Sequence, residues 1–132
     1  MGKKIEVVVV RPMEKPVVRK IEDSLESYYK EIGCEYIEAV YPFDDPVVLV
    51  CDEDGKSRQM PNRALKRDGK IYDVVFGTFF ICGIDGTEFA DIPGDLKKKY
   101  MDMFKSPEAY LKSGKNVYRV VMDGSEPAEI IA

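Results

Sequence analysis

The sequence contains no histidine and no tryptophan among its 132 residues. Histidine is the usual general base near neutral pH and the commonest metal ligand, so its absence excludes a Ser-His-Asp triad, a Cys-His pair and His-ligated zinc. Carboxylate, lysine or hydroxyl chemistry stays open. The composition therefore favours a protein that is not an enzyme, and we predict no catalytic residue, no metal and no cofactor.

Cysteine is scarce, with three residues at Cys34, Cys51 and Cys82. An odd number, widely spaced and without a C-x-x-C pair, argues against a disulfide framework or a zinc site. Each cysteine lies among apolar neighbours, which is typical of a buried free thiol. We therefore predict three reduced cysteines without bound metal.

Long hydrophobic runs are also missing, since the longest are residues 7–10 and 47–51. A membrane-spanning helix needs about 20 apolar residues. The segment MGKKIEVVVV lacks the hydrophobic region and cleavage site of a signal peptide. The sequence thus predicts a cytoplasmic protein with no membrane partner.

The size and charge of the chain limit its organisation and its partners. A mass of 15.0 kDa suits one domain with a real core. We predict a single α+β domain over residues 1–122 and a C-terminal tail over residues 123–132, mobile unless Ile130 and Ile131 dock. The net charge of −4 disfavours nonspecific nucleic-acid binding, which needs a basic surface.

The first third of the chain reads as a hairpin followed by a helix. The β-branched residues 5–11 and 17–21 predict two strands, separated by a turn that carries two prolines. Asp23 is the predicted N-cap of a helix of about ten residues. Gly33 is suited to the position after its last turn.

The middle of the chain predicts further strands. Residues 47–51 form an unbroken apolar run, which is typical of an interior strand buried on both faces. Residues 35–41 alternate and predict a strand with one wetter face, while Asp54-Gly55 is a hairpin signal. Residues 71–84 are strand-like, and Gly77 predicts a bulge or break within them.

The last third predicts a helix over residues 95–105, a short helix from Ser106, and a final strand over residues 116–122. The expected fold class is α+β. We expect a mixed, mostly antiparallel sheet of about five to six strands, with two main helices packed on one of its faces.

Charges are distributed unevenly in the middle of the chain. Residues 31–55 contain eight acids and no base, whereas residues 56–70 contain six bases and one acid. The bases can fold back over the acidic strands as solvated pairs. Alternatively they line a site for an anion or an acidic partner, because an arginine fork beside an amide suits carboxylate or phosphate. The candidate binding residues are Asn62, Arg63, Arg58 and Lys66.

Asn62 also has a structural interpretation, as an amide that hydrogen-bonds to the backbone and fixes a short turn of helix over residues 61–65. Known ion motifs do not fit the neighbouring acids. Aligning Asp52 and Asp54 with a calcium loop puts Val50 and Pro61 at ligand positions, and no glycine-rich phosphate loop is present.

The motifs I-E-A-V at residues 37–40, D-E-D-G-K at 52–56, N-R-A-L at 62–65 and G-T-F-F-I-C-G at 77–83 occur in a fixed order. In this order the chain resembles an uncharacterised family of small domains of unknown function from Gram-positive bacteria, their phages and mobile elements. The resemblance covers residues 7–110. It implies no activity, but it implies a mobile-element setting, with accessory or counter-defence roles.

The sequence therefore predicts a non-catalytic binding or regulatory accessory protein of a phage or mobile element, including a counter-defence role. The alternative is a binder or sponge for a small anionic ligand such as a nucleotide. A flat patch with exposed tyrosine or phenylalanine would favour a protein partner. A deep pocket with converging arginine and asparagine would favour the anionic ligand. The oligomeric state stays open.

Overall fold

A computed structural model describes residues 2–131 of the chain. Its helices are α1 (Leu25–Ile32), α2 (Gly55–Arg58) and α3 (Gly94–Met103). Its strands are β1 (Lys4–Val10), β2 (Val17–Glu22), β3 (Ile37–Val40), β4 (Val47–Asp52), β5 (Pro61–Arg67), β6 (Lys70–Phe76), β7 (Phe79–Asp85), β8 (Glu88–Ala90), β9 (Glu108–Ser113), β10 (Asn116–Val121) and β11 (Glu129–Ile130).

The main sheet has six strands in the order β2-β1-β7-β4-β3, with β8 paired to β7. All its pairs are antiparallel. The predicted hairpin at the start of the chain is confirmed by the register from Lys4 opposite Glu22 to Val9 opposite Val17. Strands β2 and β3 form the two ends of the sheet, so each has one edge without a neighbouring strand in the described chain.

The prediction of an interior strand at residues 47–51 is confirmed. Strand β4 lies between β3 and β7, and all six of its residues are buried. An unbroken apolar run fits this place because both faces of the strand are covered.

Each face of the main sheet carries its own hydrophobic core. Helix α1 packs Tyr28 and Ile32 against one face, and we call this the α1 face. Helix α3 and the hairpin β5–β6 cover the other, which we call the α3 face. Alternation along β1 explains the division, since Val7 and Val9 point to the α1 face and Val8 and Val10 to the α3 face.

The predicted fold class is wrong. Residues 2–131 are 47% strand and 17% helix, with three sheets and only two helices of seven residues or more. The two longer helices lie on opposite faces of the main sheet rather than together on one face. A two-stranded sheet, β5–β6, and a three-stranded sheet, β11-β10-β9, complete the described architecture.

The predicted short helix after Ser106 is also wrong, because β9 occupies this position. Six residues of β9 pair in register with β10, from Glu108 opposite Val121 to Ser113 opposite Asn116. Long strand pairing outweighs a local helix-start signal, which is a weak preference by comparison. Within the predicted tail, Glu129 and Ile130 pair with Arg119 and Tyr118 of β10.

Of the residues predicted to cap helices or break strands, some are confirmed and one is not. Gly33 ends α1 in a left-handed conformation with φ of 79°, as predicted. The N-cap is Ser24 rather than Asp23, and its hydroxyl accepts from the Ser27 N–H at 3.2 Å. Gly77, with φ of 82°, separates β6 from β7 at the predicted break.

The segment after β4 forms the short helix α2 instead of a hairpin at Asp54-Gly55, and residues 61–65 belong to strand β5 instead of a helical turn. Cys51 and Cys82 are buried and Cys34 is partly buried, and all three are free thiols. No helix in residues 2–131 is long and apolar enough to cross a bilayer.

Candidate functional site

Asn62 lies fully buried in β5 and bonds to the backbone of distant elements. Its side-chain N–H groups donate to the Val10 carbonyl at 3.0 Å and the Gly77 carbonyl at 2.8 Å. These bonds join the end of β1 to the link between β6 and β7. The amide is thus used on backbone groups, as in the structural interpretation, although those groups are far away in sequence.

Arg63 is also fully buried, and its guanidinium connects three parts of the chain. It donates to the Phe104 carbonyl at 3.0 and 3.2 Å, to the Glu14 carbonyl at 2.6 Å and to the Asn62 side-chain oxygen at 2.8 Å. Burial lowers the pKa of Arg63 from its ordinary value, and the nearby Glu108 carboxylate opposes this effect. An arginine with so many internal acceptors has a structural role in positioning α3 and the β1–β2 turn.

Arg58 and Lys66 lie on the surface with separate acidic partners. Arg58 pairs with Asp52 at 2.8 Å, and Lys66 pairs with Glu126 at 2.8 Å. The structure does not bring the four candidate residues together in one pocket, since Asn62 and Arg63 are interior. Ligand binding by these residues stays a prediction.

The stretch that follows β4 is fixed by the buried carboxylate of Asp52. This carboxylate accepts from Arg58, from the Gln59 amide at 3.1 Å and from the Asp54 N–H at 2.8 Å. Burial alone would raise the pKa of Asp52, but these hydrogen bonds lower it below its ordinary value. The Asp52 carboxylate therefore holds helix α2 against the end of β4.

Strand β3 leaves one edge of the main sheet without a neighbouring strand in residues 2–131. The Tyr36 carbonyl accepts from the Glu53 N–H of the β4 side at 3.0 Å. Because backbone groups alternate in direction along an antiparallel strand, Glu38 also points its N–H and C=O toward β4. The N–H and C=O groups of Ile37 and Ala39 therefore point outward, away from the sheet, where a further strand can pair with them.

Two tyrosines flank this edge and are among the most exposed apolar side chains of the protein. Tyr36 is 59% exposed and Tyr41 is 61% exposed. Tyrosine is enriched at protein interfaces because it offers a large rigid surface together with a hydroxyl group. Exposed tyrosines at a sheet edge are the kind of feature that would favour a protein partner over a small anionic ligand.

The opposite end of the sheet has more obstacles to strand pairing. The Asp23 N–H donates to the Lys3 carbonyl at 2.8 Å, so by alternation Lys20 and Val18 point their backbone groups outward. Lysine on an edge strand and a proline at its start, here Pro16, both discourage the addition of another strand. Strand β2 is therefore expected to pair with an added strand less readily than β3 does.

A groove of about 360 Å³ borders β3 on the α3 face. The buried Cys51 lies in it, opposite Glu38 on the neighbouring strand. Burial raises the pKa of the Cys51 thiol to about 12, and the Glu38 charge acts in the same direction. The thiol is therefore protonated at neutral pH and is a poor nucleophile.

The structure is that of a small, strand-rich protein whose main sheet has an open edge at β3. The chain belongs to the family described as Domain of unknown function (DUF3846), whose model matches residues 5–105. This match runs from the second residue of β1 to just past α3 and leaves the three-stranded C-terminal sheet outside it. No curated protein and no solved structure matches the chain at a significant level.

Proposed function

We propose that the protein is a non-catalytic binding protein with a regulatory, accessory role, and that it captures a protein partner at the edge of β3. In this mode the partner supplies an extended segment that pairs with the outward backbone groups of Ile37 and Ala39. The observation that carries the proposal is the coincidence of this unpaired edge with the exposed Tyr36 and Tyr41. Backbone pairing supplies affinity, and the tyrosines supply side-chain contacts at both ends.

The proposal includes a cellular setting. The protein acts in the cytoplasm of a bacterium that carries a phage or mobile element, in an accessory role such as counter-defence. The order of motifs at residues 37–40, 52–56, 62–65 and 77–83 supports this setting by resemblance. The free thiols fit a reducing compartment.

Substituting Ala39→Pro is expected to abolish partner capture from a lysate of a Gram-positive host. Proline removes the outward N–H of Ala39 and blocks strand addition, yet an edge strand tolerates it because this N–H has no partner within the sheet. Captured proteins are quantified by mass spectrometry for tagged wild type and variant. We expect at least about a tenfold loss, as for an interface that depends on the affected contact.

The matched control is Lys20→Pro, which removes the corresponding outward N–H at the opposite edge of the same sheet. This variant should capture the partner as the wild type does, and both variants should keep the far-ultraviolet circular dichroism spectrum of the wild type. Equal capture by Ala39→Pro and wild type would show that β3 is not the binding edge.

A groove of about 780 Å³ between β2 and α1 supports a second candidate function, the binding of a small anionic ligand such as a nucleotide. Arg11 and Arg19 both bond to Glu31 in this groove, at 2.6 and 3.1 Å. The groove also contains three lysines, Lys4, Lys20 and Lys30, which form no salt bridge with the described residues. Glu22 and Glu26 also line the groove, so with Glu31 it holds three acids against five bases, and an anion can bind to the three lysines.

Titration with ATP at low ionic strength tests this second function by calorimetry. If the groove binds nucleotides, Lys30→Glu should weaken ATP binding by about tenfold, whereas Lys112→Glu on the exposed surface of β9 should change it much less. Absence of measurable heat with the wild type, or equal loss in both variants, would reject the groove as a nucleotide site.

A further inference from the structure

We propose that the partner segment bound at β3 carries lysine or arginine opposite Glu38 and apolar side chains at the two flanking positions. This inference rests on the proposed function and narrows the chemistry of its partner. The binding edge is defined by the unpaired backbone of β3, and the side chains on its two faces determine which extended segment fits best.

The two faces of β3 differ in chemical character. Ile37 packs against the core of the α1 face, and Ala39 lies on the same face by the two-residue period of a strand. Val40 packs against the core of the α3 face, and Glu38 shares that face. Residues directly opposite each other in an antiparallel pair point to the same face. An added segment therefore places alternate side chains beside apolar surface and beside Glu38.

The acids near Glu38 have few internal partners. Glu53 and Asp54 line the same groove, and neither they nor Glu38 form a salt bridge within residues 2–131. Lys56, the lysine of the groove, pairs with Asp73 at 2.9 Å. The groove thus has an excess of negative charge beside the strand edge, and a cation on the incoming segment is attracted to it.

The same charge arrangement disfavours a second copy of this chain as the partner. A symmetric pair of β3 strands centred on Ala39 would bring two Glu38 residues to about 7–8 Å of each other, the diagonal distance across a strand pair. The uncompensated acids of both copies would lie along one joint edge. A basic segment of another protein removes this repulsion and is therefore the favoured occupant.

Two synthetic peptides with blocked ends test the inference, one with the sequence TVKVKVT and one with the sequence TVEVEVT. Binding of fluorescein-labelled peptide to the full-length protein is measured by anisotropy at low and at physiological salt. We expect the lysine peptide to bind the wild type about tenfold more tightly than the glutamate peptide, with a smaller ratio at high salt. The variant Glu38→Lys should reverse the preference.

The controls separate charge from strand pairing. Ala39→Pro should abolish binding of both peptides, while Lys20→Pro should bind as the wild type does. Equal binding of both peptides, with loss of both in Ala39→Pro, would overturn the charge inference and leave the β3 site intact. No binding of either peptide, or unchanged binding by Ala39→Pro, would overturn both proposals.

Sedimentation velocity of the wild type and Ala39→Pro completes the test. The inference expects both to sediment as the same species in the absence of peptide. A wild-type dimer that becomes a monomer in Ala39→Pro would identify the occupant of β3 as a second copy of this chain, and the proposal of a basic partner segment would then be wrong.

Discussion

Replacing Arg63 by methionine should lower the free energy of unfolding by about 3 kcal/mol in urea denaturation. Methionine fills a similar volume, so the loss comes mainly from the hydrogen-bond acceptors that the guanidinium leaves behind. These are the carbonyl groups of Phe104 and Glu14 and the side-chain oxygen of Asn62. Each buried acceptor without a donor costs about 1–3 kcal/mol, and removal of the buried charge offsets part of the sum.

The matched control is Arg67→Met, at the exposed end of the same strand. Arg67 is exposed and lies over the Tyr72 ring at 4.5 Å. This variant should change stability by about 0.5 kcal/mol or less, as is usual for surface positions. Similar unfolding midpoints for the two variants would contradict the structural role of Arg63.

Replacing Arg119 by methionine should lower the stability at pH 7 by about 3–5 kcal/mol, the range for removing one member of a buried ion pair. Arg119 pairs with the buried Glu108 through two bonds of 2.8 and 2.9 Å. It also contacts Glu126 and Glu129 at the surface. Its loss leaves the Glu108 carboxylate in the protein interior with only neutral donors, the Ala64 N–H and the Tyr110 hydroxyl.

The double variant Glu108→Gln with Arg119→Met separates charge from packing. Glutamine still accepts from the Ala64 N–H but leaves no buried charge, so the double variant should recover about half of the stability that Arg119→Met loses. Lys112→Met on the exposed part of β9 is the control, with an expected change of about 0.5 kcal/mol or less. Equal losses in the single and double variants would show that the charges of Glu108 and Arg119 are not coupled.

Local sequence patterns predicted those elements whose signal lies within a few residues. The apolar run of β4, the proline-bounded hairpin of β1 and β2, and Gly33 after α1 all belong to this group. Burial on both faces leaves few alternative structures for β4, and the restricted φ of proline does the same for the hairpin. The left-handed conformation after α1 strongly favours glycine. In the C-terminal sheet the final strand predicted over residues 116–122 is confirmed as β10, whereas β9 and β11 lacked such a signal because they are stabilised by pairing with β10.

The burial of Arg63 could not be predicted from its neighbours in sequence. Charged residues are almost never fully buried unless they are paired, and the two carbonyl groups that accept from Arg63, those of Phe104 and Glu14, lie 41 and 49 residues away. Residues 61–65 were predicted as a helical turn, and only the structure shows that they belong to strand β5.

The β3 edge depends on sheet order in the same way. The alternating residues 35–41 indicated a strand with one wetter face, and this strand was found. Whether such a strand lies inside a sheet or at its end depends on the position of every other strand. The outward groups of Ile37 and Ala39 and the flanking tyrosines become a candidate site only when β3 is known to be terminal.

The order of strands in the main sheet also has a consequence for synthesis on the ribosome. Strand β7 separates β1 from β4, but it leaves the exit tunnel after both of them. Until β7 is synthesised, the nascent hairpins β1–β2 and β3–β4 therefore expose the edges of β1 and β4 that later pair with it. A late central strand favours slow folding and leaves the partly synthesised chain with unpaired strand edges, which are prone to aggregation.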